Sequence, residues 1–144
     1  MSRVKKPTIF EPFDDCRRAR LAGDDDSGSI RAMKLDFDEI PEQVLPHFKG
    51  GEKEYVARMF WDGSTRIMRG RLDPGSSIGL HRHDGTSEAI YVLSGRGTAT
   101  LDGVPEPLVP GDCHFCPEGH EHTLVNDGAE PLVFFAVVPT VGKP

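Results

Sequence analysis

Two stretches of the sequence decide the fold. Residues 75–95 read GSSIGLHRHDGTSEAIYVLSG, and residues 111–126 read GDCHFCPEGHEHTLVN. In the first stretch, His81 and His83 lie two apart, so on a strand their imidazoles project from the same face. Glu88 follows a run of turn-forming residues and opens another strand. The antiparallel return of the chain can therefore bring its carboxylate beside both histidines.

The second stretch contributes a further imidazole, that of His122, at the start of another short strand. Three imidazoles and one carboxylate suit a borderline divalent ion such as Mn, Fe, Zn, Ni or Co. Taken on their own, these residues leave two interpretations open. They form either a metal site or a set of surface histidines beside a solvated glutamate.

The sequence outside these stretches is typical of an all-β fold. Apolar residues alternate with a period of two, and turn-forming residues separate the short runs. We predict strands at residues 55–61, 66–72, 80–83, 88–93, 97–102, 112–116, 122–126 and 132–138. Many short strands without a long amphipathic helix among them indicate a barrel or a sandwich.

Composition limits the classes of function. The net charge of -6 comes with no basic stripe, which argues against nucleic acid as a partner. No apolar run is long enough for a membrane span, and the first residues lack the apolar core of a signal peptide. An odd count of three cysteines predicts reduced thiols. We therefore expect a cytoplasmic protein with no membrane partner.

The spacing of both stretches resembles the two signature motifs of the cupin superfamily at all ten specified positions. The first motif takes Gly75, His81, His83, Glu88 and Gly95, and the second takes Gly111, Pro117, Gly119, His122 and Asn126. The resemblance implies a double-stranded β-helix, or jelly-roll barrel, with one divalent metal ion inside it. By the same resemblance the metal ligands are His81, His83, Glu88 and His122, and the protein is a homodimer. Gly75, Gly95 and Gly111 lie where tight turns need positive φ.

The chain is predicted to divide into a short N-terminal extension, residues 1–32, and the barrel, residues 33–144. The extension has few large apolar residues, and its basic and acidic runs are typical of a flexible tail. A short helix within it is the alternative.

Several other side chains are candidates for a functional role. His120 and Tyr91 are the candidates for a catalytic acid or base, with an exposed loop histidine and a core aromatic residue as the respective alternatives. Cys113 and Cys116 form a C-x-x-C, but positions three apart on a strand point to opposite faces, so we expect no joint role. His114 receives no role. Arg69 and Arg71 share a face that either looks into the barrel, where they would bind a carboxylate, or looks outward.

The leading hypothesis from sequence is a metal-dependent enzyme that acts on a small polar or anionic molecule in the barrel. Isomerase, lyase or decarboxylase chemistry would use the metal as a Lewis acid, and an iron site would allow dioxygenation. The alternative is a non-catalytic module that binds or senses a small ligand. The fold alone does not choose between them.

Overall fold

Ten strands account for most of residues 34–142, the part of the chain that the computed structural model describes. The strands are β1 (Gln43–Pro46), β2 (Glu54–Trp61), β3 (Thr65–Leu72), β4 (Ser77–Arg82), β5 (Glu88–Ser94), β6 (Gly97–Leu101), β7 (Val104–Leu108), β8 (Cys113–Cys116), β9 (Glu121–Val125) and β10 (Leu132–Pro139). One 3-10 turn, Phe48–Gly50, lies between β1 and β2. Within this range no helix is long and apolar enough to cross a membrane.

The strands form two antiparallel sheets. The larger sheet has the order β1-β2-β3-β10-β5-β8, and the smaller has the order β4-β9-β6-β7. The chain passes repeatedly from one sheet to the other, which is the jelly-roll arrangement expected from the sequence. The prediction of an all-β jelly-roll barrel is confirmed. The predicted extension lies outside the described residues, and its boundary with the barrel stays a prediction.

Alternating burial places the core between the sheets. Along β10, every second side chain from Leu132 to Val138 is buried. The rings of Tyr55 on β2 and Phe134 on β10 stack with their centroids 5.8 Å apart, and Phe48 packs on Tyr55 from the 3-10 turn. This core fills one part of the barrel and leaves the other part for polar side chains.

Asn126, which ends the second motif, is a structural residue. It is fully buried, and its Nδ2 donates hydrogen bonds to the carbonyl oxygens of Leu72 and Glu130 at 2.7 and 2.8 Å. The three motif glycines expected to need positive φ have it: Gly75 at 83°, Gly95 at 73° and Gly111 at 96°. These residues shape the frame that carries the histidines.

Two strands were not predicted from sequence, and both lie at sheet edges. β7 contains Pro105 and Pro107, which cannot donate backbone hydrogen bonds and therefore argue against a strand when only the sequence is known. Because β7 pairs with β6 alone, the backbone nitrogens of its prolines can face the edge of the sheet, where no partner strand needs a hydrogen-bond donor. β1 is a four-residue strand that pairs only with β2.

Arg69 and Arg71 on β3 take the outward of the two orientations left open by the sequence. Arg69 lies 3.5 Å from Asp38, and Arg71 lies 3.3 Å from Asp73. Both arginine side chains are more than two-fifths exposed, so these ion pairs are solvated and contribute little to stability. Neither arginine lines the interior of the barrel.

Candidate metal centre

The pairing of β4 with β9 brings three histidines together. His81 lies directly opposite His122, and the backbone N–H of His83 donates to the carbonyl of His120 at 3.0 Å. The register shifts between Ile78 and His81, which marks a bulge at Gly79 and Leu80. Because a bulge changes which face the following side chains occupy, both core residue Ile78 and His81, three positions later, can point inward.

Glu88 reaches the same place from the other sheet, as the first residue of β5. Its Oε2 lies 3.1 Å from Nε2 of His83 and 3.7 Å from Nε2 of His122. Nε2 of His122 is in turn 2.9 Å from that of His83 and 3.1 Å from that of His81. One ligand atom from each of the four residues lies within 4.8 Å of the others, and the group could hold a metal ion.

The hydrogen bond made by the outer ring nitrogen of His81 is consistent with a cation at the centre of this group. Nδ1 of His81 lies 2.7 Å from the carbonyl oxygen of Gly79. Since a carbonyl only accepts, Nδ1 carries the proton and the Nε2 lone pair of a neutral ring faces the group. Imidazole nitrogens that bind one divalent ion would each lie about 2.1 Å from it, and so within about 3.0 to 3.4 Å of one another. The observed Nε2 separations of 2.9 and 3.1 Å are close to that spacing, so the group could hold a cation.

Burial tunes the charges of the group. Burial lowers the pKa of His81 to about 4, so its imidazole is neutral near pH 7 and able to act as a ligand. Burial alone would raise the pKa of Glu88, but the adjacent imidazoles of His122 and His83 more than offset it and lower the pKa to about 2. The carboxylate is therefore ionised throughout the physiological range and gives the group a negative charge for a cation.

A cavity of about 360 Å³ opens onto these side chains. The apolar part of its wall includes Ile78, and its rim carries three cationic side chains: Lys49, Arg66 and Arg82. Tyr55 also reaches the wall, but burial raises the pKa of its phenol and its hydroxyl is directed to Met68 Sδ at 3.7 Å. The cavity thus joins a metal-ligand set to a lining that carries these three cations and the carboxylate of Asp84.

The two candidate catalytic residues lie away from this cavity. His120 is at the surface, with Nδ1 2.5 Å from Oδ2 of Asp102, and it lowers the pKa of that carboxyl group. Tyr91 is 45% exposed on the outer face of β5. Cys113 and Cys116 are free thiols, one exposed and one buried, as strand parity predicted. Burial raises the pKa of Cys116 to about 11.

Sequence reasoning missed two residues behind the group: one that touches His122 and one that touches the first. His114 on β8 is buried, and its Nε2 lies 3.0 Å from Nδ1 of His122. On its other side, Nδ1 of His114 lies 2.8 Å from Oε2 of Glu106 on β7. Strand parity offered a signal, because His114 shares a face with the buried Cys116, but β7 and its glutamate were not predicted.

A two-sheet antiparallel barrel with three histidines and a glutamate converging in its interior defines a cupin-type barrel. The family model described as the cupin domain matches residues 68–138. The chain is 33% identical over 112 residues to an oxalate-binding protein of Thermotoga maritima, covering 74% of this chain and 93% of that protein. This protein therefore belongs to the cupin superfamily.

Solved structures agree with this assignment. The crystal structure of a predicted oxalate decarboxylase from Thermotoga maritima superposes with a TM-score of 0.71 at 31% identity, covering 76% of this chain and all of that one. A putative sugar phosphate isomerase from Acidithiobacillus ferrooxidans gives a TM-score of 0.56 at 32% identity, covering 61% of this chain and 60% of that one. The similar structures thus carry more than one printed activity.

Proposed function

We propose that this protein holds one divalent transition-metal ion on His81, His83, Glu88 and His122 and binds a small carboxylate anion against it. The observation that supports this best is the convergence of four donor atoms on a cavity with a cationic rim. Three imidazoles and a carboxylate favour Mn, Fe, Co, Ni or Zn over the harder Mg and Ca. When bound, such an ion would supply a Lewis acid that polarises a ligand carboxylate.

The cationic rim favours an anionic ligand. Lys49 reaches the cavity from the 3-10 turn, Arg66 from β3 and Arg82 from the end of β4. A dianion entering the cavity would meet this positive charge, to which Arg82, also paired with Glu121, contributes less, and Asp84 adds one negative charge to the same lining. The 33% identical relative is an oxalate-binding protein, and we extend that ligand class, a small dicarboxylate, to this chain.

Turnover of the ligand is the second candidate function. The cavity has a volume of about 360 Å³, and one water molecule takes up about 30 Å³ in the liquid. The cavity therefore has room for a ligand larger than a two-carbon dianion. Two similar structures are described as a predicted decarboxylase and a putative isomerase. Asp84, Thr86 and Thr123 also line the cavity, and Oγ1 of Thr86 lies 2.9 Å from Nδ1 of His83. His120 and Tyr91 receive no step in this proposal.

Binding should depend on both metal and charge. With cobalt loaded and oxalate at a hundredfold excess over its Kd, we expect the melting temperature to rise by roughly 10 °C. Protein stripped with a chelator should give no shift, because the anion then faces Glu88 without a cation. Differential scanning fluorimetry, with elemental analysis of each sample, measures both effects. Acetate and glucose 6-phosphate serve as comparison ligands.

A matched pair of lysine variants tests the rim. Lys49→Gln should weaken oxalate binding while the cobalt content stays at that of wild type. Lys53→Gln is the control, because Lys53 lies in the same loop but its Nζ donates to the carbonyl of Pro74 away from the cavity. An equal oxalate shift in metal-free protein would contradict the proposal. Formate in the ¹³C NMR spectrum of the mixture would favour turnover over binding alone.

We also propose that the protein is a homodimer through the outer face of the larger sheet. Tyr91, Leu93 and Phe115 are each about half exposed there, on the neighbouring strands β5 and β8. Tyr91 lies opposite Phe135 on β10, which is partly buried and packs against the ring of Phe37. A continuous apolar face of this kind fits a second copy of itself, since the commonest oligomers are two-fold dimers.

Charge placed on this face should separate the subunits. Phe115→Glu is expected to give a monomer in analytical ultracentrifugation at a concentration where wild type is a dimer. Val104→Glu is the control, because Val104 is 63% exposed on β7, at the edge of the other sheet. A wild-type protein that sediments as a monomer would contradict the proposal.

A further inference from the structure

We propose that His114, held by Glu106, is a positioning residue that fixes the ring of His122 so that Nε2 of His122 faces the metal. This inference rests on the proposed metal site and adds two residues to it. The three side chains form a continuous chain of contacts from the surface to the site. The side chain of Glu106 is 44% exposed, whereas the side chains of His114 and His122 are at most 1% exposed.

The direction of the hydrogen bonds follows from the carboxylate. An ionised carboxylate only accepts, so Nδ1 of His114, 2.8 Å away, is the donor to Glu106. A neutral His114 then presents its Nε2 lone pair to His122, and Nδ1 of His122 donates to it across 3.0 Å. The remaining nitrogen of His122, Nε2, keeps its lone pair. It is this atom that faces His81, His83 and Glu88.

The same contacts hold the orientation of the ring. The imidazoles of His114 and His122 lie edge to edge and nearly in one plane, with 17° between their planes and 5.2 Å between their centroids. Because His114 lies on β8 and Glu106 on β7, the chain of contacts bridges the edge strands of the two sheets. Hydrogen bonds to the far nitrogen of a ligand histidine fix its tautomer and raise its basicity.

Two substitutions separate the hydrogen bond from simple packing. His114→Phe keeps an aromatic ring against His122 but removes the acceptor, so it should lower the affinity for cobalt by about 10- to 100-fold. His114→Gln can place an acceptor oxygen near the position of Nε2 and should restore most of that affinity. The readouts are cobalt titration against a competing chelator and the melting temperature of each metal-free variant.

Nitrogen NMR of the metal-free protein gives a readout that packing would not move. In wild type, Nδ1 of His122 should have the ¹⁵N shift of a protonated ring nitrogen. In His114→Phe it should move toward the average of the two tautomers. His120→Phe is the control. His120 also pairs with a carboxylate, that of Asp102, but its side chain is exposed to solvent.

Each outcome bears on a different proposal. A wild-type protein that takes up no cobalt would contradict the metal site itself, and with it this role of His114. Cobalt binding by wild type and equally by His114→Phe would contradict the role of His114 alone. Equal loss of affinity in His114→Phe and His114→Gln would also overturn it, since packing rather than the acceptor would then be responsible.

Discussion

His122→Ala is expected to abolish tight metal binding, with a loss of affinity for cobalt of at least about a hundredfold. Replacing a group that only contacts a ligand typically costs 10- to 100-fold, and His122 is itself the proposed ligand. Its Nε2 lies within 3.1 Å of the corresponding atoms of His81 and His83 and 3.7 Å from Oε2 of Glu88. His83→Ala should have an effect of the same order, because Nε2 of His83 contacts both His122 and Glu88.

The matched control is His120→Ala, two residues away in the same H-x-H sequence. Because His120 is exposed and pairs with Asp102, its removal should leave the metal content near that of wild type. Elemental analysis after gel filtration measures bound metal, and the melting temperature of the metal-free variants checks their folding. Equal metal loss in His83→Ala, His122→Ala and His120→Ala would contradict the assignment of the ligands.

The local part of the site could be predicted from sequence. His81 and His83 share a face because strand side chains alternate, and no tertiary information is needed for that inference. Glu88 and His122 required the glycine and proline positions of the two motifs, since Glu88 belongs to one sheet and His122 to the other. The structure brings all four together, and their metal binding is what the variants above test.

The parts that could not be predicted depend on contacts between sheets or on irregular pairing. The bulge at Gly79 comes from a register shift between β4 and β9, which periodicity does not reveal. Glu106 lies between two prolines, and only its edge position allows that segment to be a strand. His114 meets it because the edge strands of the two sheets approach each other at that side of the barrel. No pattern within either segment encodes that approach.

Gly79→Ala is expected to lower the free energy of unfolding by about 3 kcal/mol, because it forces backbone atoms apart. A Cβ at this position would lie 2.1 Å from the carbonyl oxygen of Lys49 and 2.7 Å from the amide nitrogen of Gly51. No side-chain rotation can relieve contacts with backbone atoms. Lys49 is already in the left-handed region, with φ at 55°, so the 3-10 turn has little freedom to move.

The same substitution should also weaken the metal site, which separates it from a change in stability alone. The carbonyl of Gly79 accepts the hydrogen bond from Nδ1 of His81. A shift of this backbone would weaken that bond, and the imidazole of His81 would lose its fixed orientation toward the other proposed ligands. We expect a melting temperature roughly 10 °C below that of wild type in metal-free protein, together with weaker cobalt binding. Gly142→Ala is the control, because a Cβ there meets no atom within 4 Å. If Gly79→Ala melted within the error of wild type, the close approach of the 3-10 turn to β4 would not be a constraint on this fold.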